Sequence, residues 1–235
     1  QLLYEGLATP MQYGPPKGSP QYYEKLNNAY LEYNPKKANE MPDALGYNKR
    51  DSEGYRLWKD GSGPVSWTLL GGVTQSEDSL AIIDYLKKLG FKVSYKGVER
   101  SLSIKMHNAN DVECTLSNAD RTLVPLADPQ VWIKHTNIDD RPWCNAWTAW
   151  YIDPKNPIAE EPPKGHWIWT IWDLYDQIMQ AGDDNKRNEL FRKILDIWAV
   201  ELPSVGFLGD LPKPIPVKNG LKGIKPGNLW DCCST

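Results

Sequence analysis

Several features that would mark a function are missing from this 235-residue sequence, and each absence narrows the choice. No apolar run approaches the ~20 residues a membrane-spanning helix needs. No dense basic run occurs: 27 Lys and Arg stand against 30 Asp and Glu, a net charge of −3, whereas nucleic-acid binders carry a clustered basic footprint. The four cysteines lack zinc-type spacing, with Cys114 and Cys144 isolated and Cys232 and Cys233 adjacent. This argues against a structural zinc site and leaves a Cys114–Cys144 disulfide open. The glycines of LGGV at 70–73 stand where a phosphate loop would, but neither G-x-G-x-x-G nor G-x-x-x-x-G-K-[ST] is present. The opening QLLYEGLATPMQYG lacks the basic start and apolar core of a secretion signal.

Phenylalanine is scarce too, at three residues against eleven Trp and twelve Tyr. The chain therefore favours rings that carry a polar atom, which suit half-wet surfaces and clefts as well as a core with polar edges. Seven of the tryptophans lie between 132 and 172. The densest stretch is PWCNAWTAWY at 142–151, where spacings of four and three residues put Trp143, Trp147 and Trp150 along one side of a helix. Such a stripe serves either packing or ligand stacking. The expectation is that Trp150 and Tyr151 pack, while Trp143 or Trp147 keeps a face for a ligand.

Patterning points to an α/β chain. Residues 1–33, rich in Pro, Gly and Tyr, read as an irregular arm. Asn34 caps a helix with Pro35 in its first turn; Pro42 should kink or shorten it, and Gly46 ends it. Turn signals at Ser52–Gly54 and Asp60–Gly63 predict a hairpin with strands Tyr55–Trp58 and Val65–Leu70. Next comes a helix, SEDSLAIIDYLKKLG, capped by Ser76, with Leu80, Ile82, Ile83, Leu86 and Leu89 as its buried face. FKVSYKG follows as a strand, so the unit reads strand–helix–strand with a parallel crossover. A helix over 98–109 and a strand DVECTL come next, then a long aperiodic segment from 119 to 167. Two helices are predicted near 168–181 and 184–201, the second with apolar Leu190, Ile194, Leu195, Ile197 and Trp198. ELPSVGFLG then reads as a buried strand and PKPIPVKNGLKGIKP as an exposed edge or tail.

Catalytic signals are thin. His107, His135 and His166 are far apart and have no local nucleophile motif. The acids pair only as neighbours, at Asp139–Asp140, Glu160–Glu161 and Asp183–Asp184, which does not provide two carboxyls facing each other across a sugar. What remains is binding chemistry: Asn118, Asp120, Arg121 and Asp128, followed by Trp132, Trp143 and Trp147. Directional polar groups beside several rings are what a carbohydrate or peptide cleft uses.

In order along the chain, several stretches resemble the solute-binding proteins of ABC importers, family 5, the oligopeptide/dipeptide-binding class. LEYNPKKANEMPDALGYNKRDSEGYRLWKDG is similar to the family's Tyr–x–Pro–x–Lys–Ala helix and Asp-Gly hairpin. LAIIDYLKKLGFKVSYKGVE is similar to its helix–strand unit, ANDVECTLSNADR to the next strand, and LADPQVW to the Asp-Pro element after it. EEPPKGH, the two late helices and ELPSVGFLGDLPKPIPVKNGLKGI are similar to its C-terminal run. Five or six short elements in the right order cover nearly the whole chain.

The resemblance implies a periplasmic-binding-protein-like class II lobe, a mixed sheet flanked by helices. Residues 1–211 would form the C-terminal ligand-binding lobe with its N-terminal arm, and 212–235 would return toward a first lobe outside this chain. It implies a non-catalytic protein without cofactor or metal, periplasmic or extracellular, held at the membrane as a lipoprotein or through its permease. Its partners would be a peptide or oligosaccharide ligand, the missing lobe and the ABC permease. Peptide-binding relatives place an Asp shortly after the DVECTL-type strand, where it pairs with the peptide's α-amino group. Counting from Asp111 puts Asp120 there, counting back from Asp128–Pro129 lands on Pro125, and Ser117 stands where relatives carry Trp. Enrichment in Trp tilts the ligand toward sugar. The alternatives from other classes are a carbohydrate-active enzyme and a protein-interaction module.

Overall fold

The computed structural model describes residues 4–117, 121–134, 143–212, 214–223, 225 and 227. In chain order the first elements are β1 (Thr9–Pro10), α1 (Glu24–Asn27), α2 (Pro35–Ala44), β2 (Ser66–Gly71), α3 (Glu77–Lys88) and β3 (Lys92–Gly97). After them come α4 (Arg100–Asn108), β4 (Cys114–Thr115), α5 (Gln130–Ile133), α6 (Asn145–Ile152), α7 (Trp167–Gln180), α8 (Asp184–Glu201) and β5 (Leu208–Gly209). Packing groups them into two compact units, 32–117 and 1–31 with 118–235.

The 32–117 unit is built on a parallel sheet of order β3-β2-β4. β2 and β3 pair from Ser66↔Lys92 to Gly71↔Gly97 across the α3 crossover, and β4 adds Leu69↔Cys114 and Leu70↔Thr115 on the other edge. α3 starts where Ser76 Oγ accepts the Ser79 N–H at 3.3 Å. It places Ile83 against Leu69 and Val93, with Ile82 and Leu86 partly buried beside them. Leu80, expected on this face, is 54% exposed, because the small sheet covers only the middle turns of the helix. The predicted hairpin is also cut back. Only isolated antiparallel bridges remain, Arg50↔Arg56 and Leu57↔Pro64. Its second arm became the central strand β2, whose two edges are taken by β3 and β4, so no edge is left for the first arm.

α2 begins at Asn34, whose Oδ1 accepts the Lys37 N–H at 3.0 Å. It runs through Pro42 and ends at Ala44, next to Leu45 and Gly46, whose φ of 93° turns the chain out of the helix. Arg56, fully buried, locks the region. Its Nε donates to Leu89 O at 2.7 Å, Nη1 to Tyr47 O at 2.6 Å and to Asp43, and Nη2 to Asn39 O at 3.0 Å and Asn39 Oδ1 at 3.1 Å. All five guanidinium N–H donors are thereby used.

The second unit has the larger core. α7 and α8 contribute Ile168, Ile171, Trp172, Leu190, Phe191, Ile194, Leu195 and Trp198, joined by Val131, Trp132 and Ile133 of α5 and by Leu26 and Tyr13 of the opening arm. Gln12 explains why that arm is ordered: its N–H reaches Asn27 O at 3.0 Å, its Nε2 reaches Ala29 O at 2.8 Å, and its Oε1 accepts the Gly206 N–H at 2.8 Å. A Cβ at Gly206 would collide with the backbone of Gln12 and Tyr13. ELPSVGFLG is not a buried strand. Val205 and Phe207 are 58% and 52% exposed, and only Leu208–Gly209 pairs, with Thr9–Pro10. Pro10 has no N–H with which to extend that ladder. Cys114 and Cys144 are both free, so they do not form the disulfide that sequence left open; Cys232 and Cys233 lie outside the described residues.

Candidate functional site

The rings of the middle segment are placed by their N–H groups. α5 is one turn long, and a helix end leaves carbonyls without intrahelical partners. Three indoles supply donors there: Trp143 Nε1 to Val131 O at 2.8 Å, Trp198 Nε1 to Trp132 O at 3.1 Å, and Trp172 Nε1 to Lys134 O at 3.3 Å. Lys134 itself adopts a left-handed conformation with φ 55° and is fully buried. Phenylalanine would fill most of this volume but would leave these buried carbonyls unpaired. This accounts for the choice of Trp over Phe in the core of this unit.

Of the six residues selected from sequence, Asn118 and Asp120 lie outside the described residues. Arg121 sits at φ 56°, with its Nε 3.0 Å from Asp128 Oδ2, and its carbonyl accepts the Trp132 indole N–H at 3.2 Å. Trp132 is fully buried, stacked on Tyr13 at 5.0 Å between ring centroids and 4.8 Å from Trp198. It therefore offers no face to a ligand, in contrast to the sequence expectation. Trp143 is 8% exposed, set edge-to-face on Trp198 at 5.4 Å, so it too is a packing residue. Trp147 is the one of the three that stays partly exposed, edge-on to His166 at 4.5 Å. Further along α6, Trp150 meets Trp169 at 5.3 Å and Tyr151 stacks on Trp172 at 4.4 Å.

His166, which has no nucleophile motif in the sequence, serves as a cap: its Nδ1 accepts the Ile168 N–H at 3.2 Å at the start of α7, and its ring meets both Trp147 and Trp167. The Pro-Lys-Gly-His run before an aromatic helix was the available signal. Cys144, at the start of α6, has its thiol pushed up to about 12 by burial, offset only in part by Thr148 and the Lys134 charge. It is therefore protonated and inert at neutral pH. Among the described residues no cluster of His, Cys, Asp or Glu could hold a metal ion, and no helix is long and apolar enough to cross a membrane.

In the 32–117 unit the carboxyl ends of β2, β3 and β4 are Gly71, Gly97 and Thr115. Ligands of open parallel sheets bind outside the carboxyl ends of the strands.

This α/β architecture is that of the periplasmic solute-binding proteins. The chain is similar to the oligopeptide-binding protein OppA, with 30% identity and a TM-score of 0.76 over 86% of this chain and 34% of that one. Two further likenesses, at lower identity, show the fold alone. The periplasmic binding protein MelB of Agrobacterium fabrum C58, solved with stachyose, gives 15% identity and a TM-score of 0.69 over 88% of this chain and 30% of that one. A periplasmic oligopeptide-binding protein of Thermotoga maritima, solved with mannohexaose, gives 19% and 0.61 over 87% and 37%. The chain thus spans about a third of the length of these solved relatives. No curated protein matches it. Residues 1–159 match the family described as bacterial extracellular solute-binding proteins, family 5 Middle. The chain belongs to the family 5 bacterial extracellular solute-binding proteins.

Proposed function

We propose that this chain is part of the non-catalytic, solute-capturing component of an ABC importer, working in the periplasm or outside the cell and passing its solute to a membrane permease. The family match over residues 1–159 carries this reading. In it, residues 1–211 belong to the second lobe and 212–235 lead back toward a first lobe of the longer protein. The protein is held at the membrane as a lipoprotein or by its permease.

The solute in this reading is an oligopeptide. The argument for sugar rested on a row of tryptophans free to stack on pyranose faces, and Trp132 and Trp143 are spent on packing. Asp120 then serves as the partner of the peptide α-ammonium, with Asn118 and Arg121 beside it and Trp147 as the remaining aromatic contact. Trp132 and Trp143 act indirectly, by fixing the segment that begins at Arg121. The 30% identity to an oligopeptide-binding protein supports the same choice.

Calorimetric titration of the full-length protein tests it, using tri- and tetrapeptides, their N-acetylated forms, and cello- and manno-oligosaccharides. Binding of free peptides, with loss on acetylation and on Asp120→Ala, is the expected result. Leaving a buried ammonium unpaired costs about 2–5 kcal/mol, a loss of affinity of about thirtyfold or more. Binding of oligosaccharides alone would overturn the peptide assignment and leave Trp147 as the stacking platform.

A further inference from the structure

A second feature of the 32–117 unit has the make-up of a ligand site and uses none of the residues assigned to solute capture. Tyr47, Trp58, Lys59, Asp60 and Ser62 line an open depression of about 470 Å³. The Tyr47 and Trp58 rings stand nearly perpendicular, at 73°, with centroids 6.1 Å apart, and so form a corner with two aromatic walls. Trp58 keeps 41% of its surface in solvent, so one ring face is open to a ligand while its edge meets Tyr47. On the rim Lys59 sets its Nζ 4.9 Å over the Tyr47 ring. The Asp60 carboxyl is held below its ordinary value mainly by the Ser62 backbone N–H, so it stays an acceptor.

The corner is built in advance rather than assembled from loose side chains. The Trp58 N–H bonds Gly63 O at 2.9 Å, the Gly61 N–H bonds Trp58 O at 3.0 Å, and the Ser62 N–H bonds Asp60 Oδ1 at 2.9 Å, which closes a tight turn. Beneath it, buried Arg56 donates to the Tyr47 carbonyl at 2.6 Å, two residues before Trp58. Gly46, at φ 93°, makes the left-handed turn that leads into Tyr47. Rigid walls of this kind lower the ordering cost of binding.

Charge selects the ligand class. A quaternary ammonium would find the Tyr47 face already taken by the Lys59 ammonium, and a rim of one cation and one anion has no net charge to hold a ligand of either sign. A purely aliphatic group would leave the ammonium, carboxylate and hydroxyl of the rim without use. A neutral, flat, polyhydroxylated ring satisfies all of them: one face stacks on Trp58 while hydroxyls donate to Asp60 and accept from Lys59 and Ser62. We propose that the corner formed by Tyr47, Trp58, Lys59, Asp60 and Ser62 is a surface subsite for a neutral pyranose unit. It stands whether the captured solute is a peptide or a sugar.

The test is saturation-transfer NMR on the full chain with methyl β-D-glucopyranoside, methyl β-D-galactopyranoside and methyl α-D-mannopyranoside, and with tetramethylammonium as the cationic competitor. Transfer to at least one glycoside, falling about tenfold in Trp58→Ala and several-fold in Asp60→Asn, is expected, since tenfold corresponds to about 1.4 kcal/mol of lost contact. Circular dichroism reports whether Trp58→Ala folds. Should it not, Lys59→Ala and Asp60→Asn decide the matter, because both side chains are exposed. No transfer to any glycoside, transfer unchanged in the variants, or binding of tetramethylammonium instead overturns the proposal.

Discussion

Trp198 donates its indole N–H to the carbonyl of Trp132 at 3.1 Å, while the two rings lie 4.8 Å apart; both side chains are fully buried. One contact thus does two jobs, filling volume and satisfying the end of the one-turn helix α5. Trp198→Phe keeps most of the packing and removes the donor. It should cost about 1–3 kcal/mol, the penalty of a buried unpaired carbonyl. Trp143→Phe should behave alike, having the same relation to Val131 O. Urea unfolding followed by circular dichroism measures both. A cost near zero would mean that the rings alone hold α5.

Arg56 and Asp43 form an ion pair of unequal partners, one fully buried and the other 47% exposed. Arg56→Lys should be the more damaging change. A lysine cannot reproduce the planar fork that serves the Leu89, Tyr47 and Asn39 acceptors, and about 2–4 kcal/mol of local stability should be lost. Asp43→Asn keeps an acceptor for Nη1 but leaves the buried guanidinium without its counter-charge, and should cost about 1–3 kcal/mol, less than Arg56→Lys. Hydrogen exchange of the α2 and α3 amides distinguishes the two.

Cys144 links stability to alkaline pH. Its thiol rises from an ordinary 9.0 to about 12, chiefly through burial. The unfolded chain therefore loses this proton first as pH rises, and stability falls between about pH 9 and 12 by up to ~1.4 kcal/mol per pH unit. Below that window the thiol is neutral in both states and contributes no slope. Cys144→Ala should flatten this limb in pH-dependent denaturation. Native Cys144 should also resist alkylation at pH 8 while exposed Cys114 reacts.

Trp147 is a partly exposed ring of the aromatic stripe, touching His166 edge-on at 4.5 Å. Trp147→Ala in the full-length protein should weaken solute binding about tenfold, with the melting temperature lowered by only a few degrees. A collapse of stability with binding retained in the folded fraction would make it a packing residue like Trp143.

Much of the backbone was legible from local signals. The caps at Asn34 and Ser76 start α2 and α3 where their side-chain acceptors predict. The strand–helix–strand unit is parallel as its spacing requires. The site was less legible. Helical spacing grouped Trp143, Trp147 and Trp150 on one face, but nothing local says which ring meets the core. Trp143 is buried because Trp198, 55 positions later by the sequence numbering, and the Val131 carbonyl converge on it.

Composition and periodicity by themselves determined the α/β class, most helix boundaries and the absence of a zinc-type cysteine pattern, because caps, turns and amphipathic faces are interactions among residues a few positions apart. Only the tertiary structure decided the rest: that Val65–Leu70 supplies the centre of a parallel sheet rather than half a hairpin, that Cys114 and Cys144 stay free, and that Trp132 packs on Tyr13. The physical reason is the same in each case. Edge occupancy, thiol pairing and ring burial depend on which distant segment arrives, and residues as far apart as 13, 132 and 198 become neighbours only when the core closes.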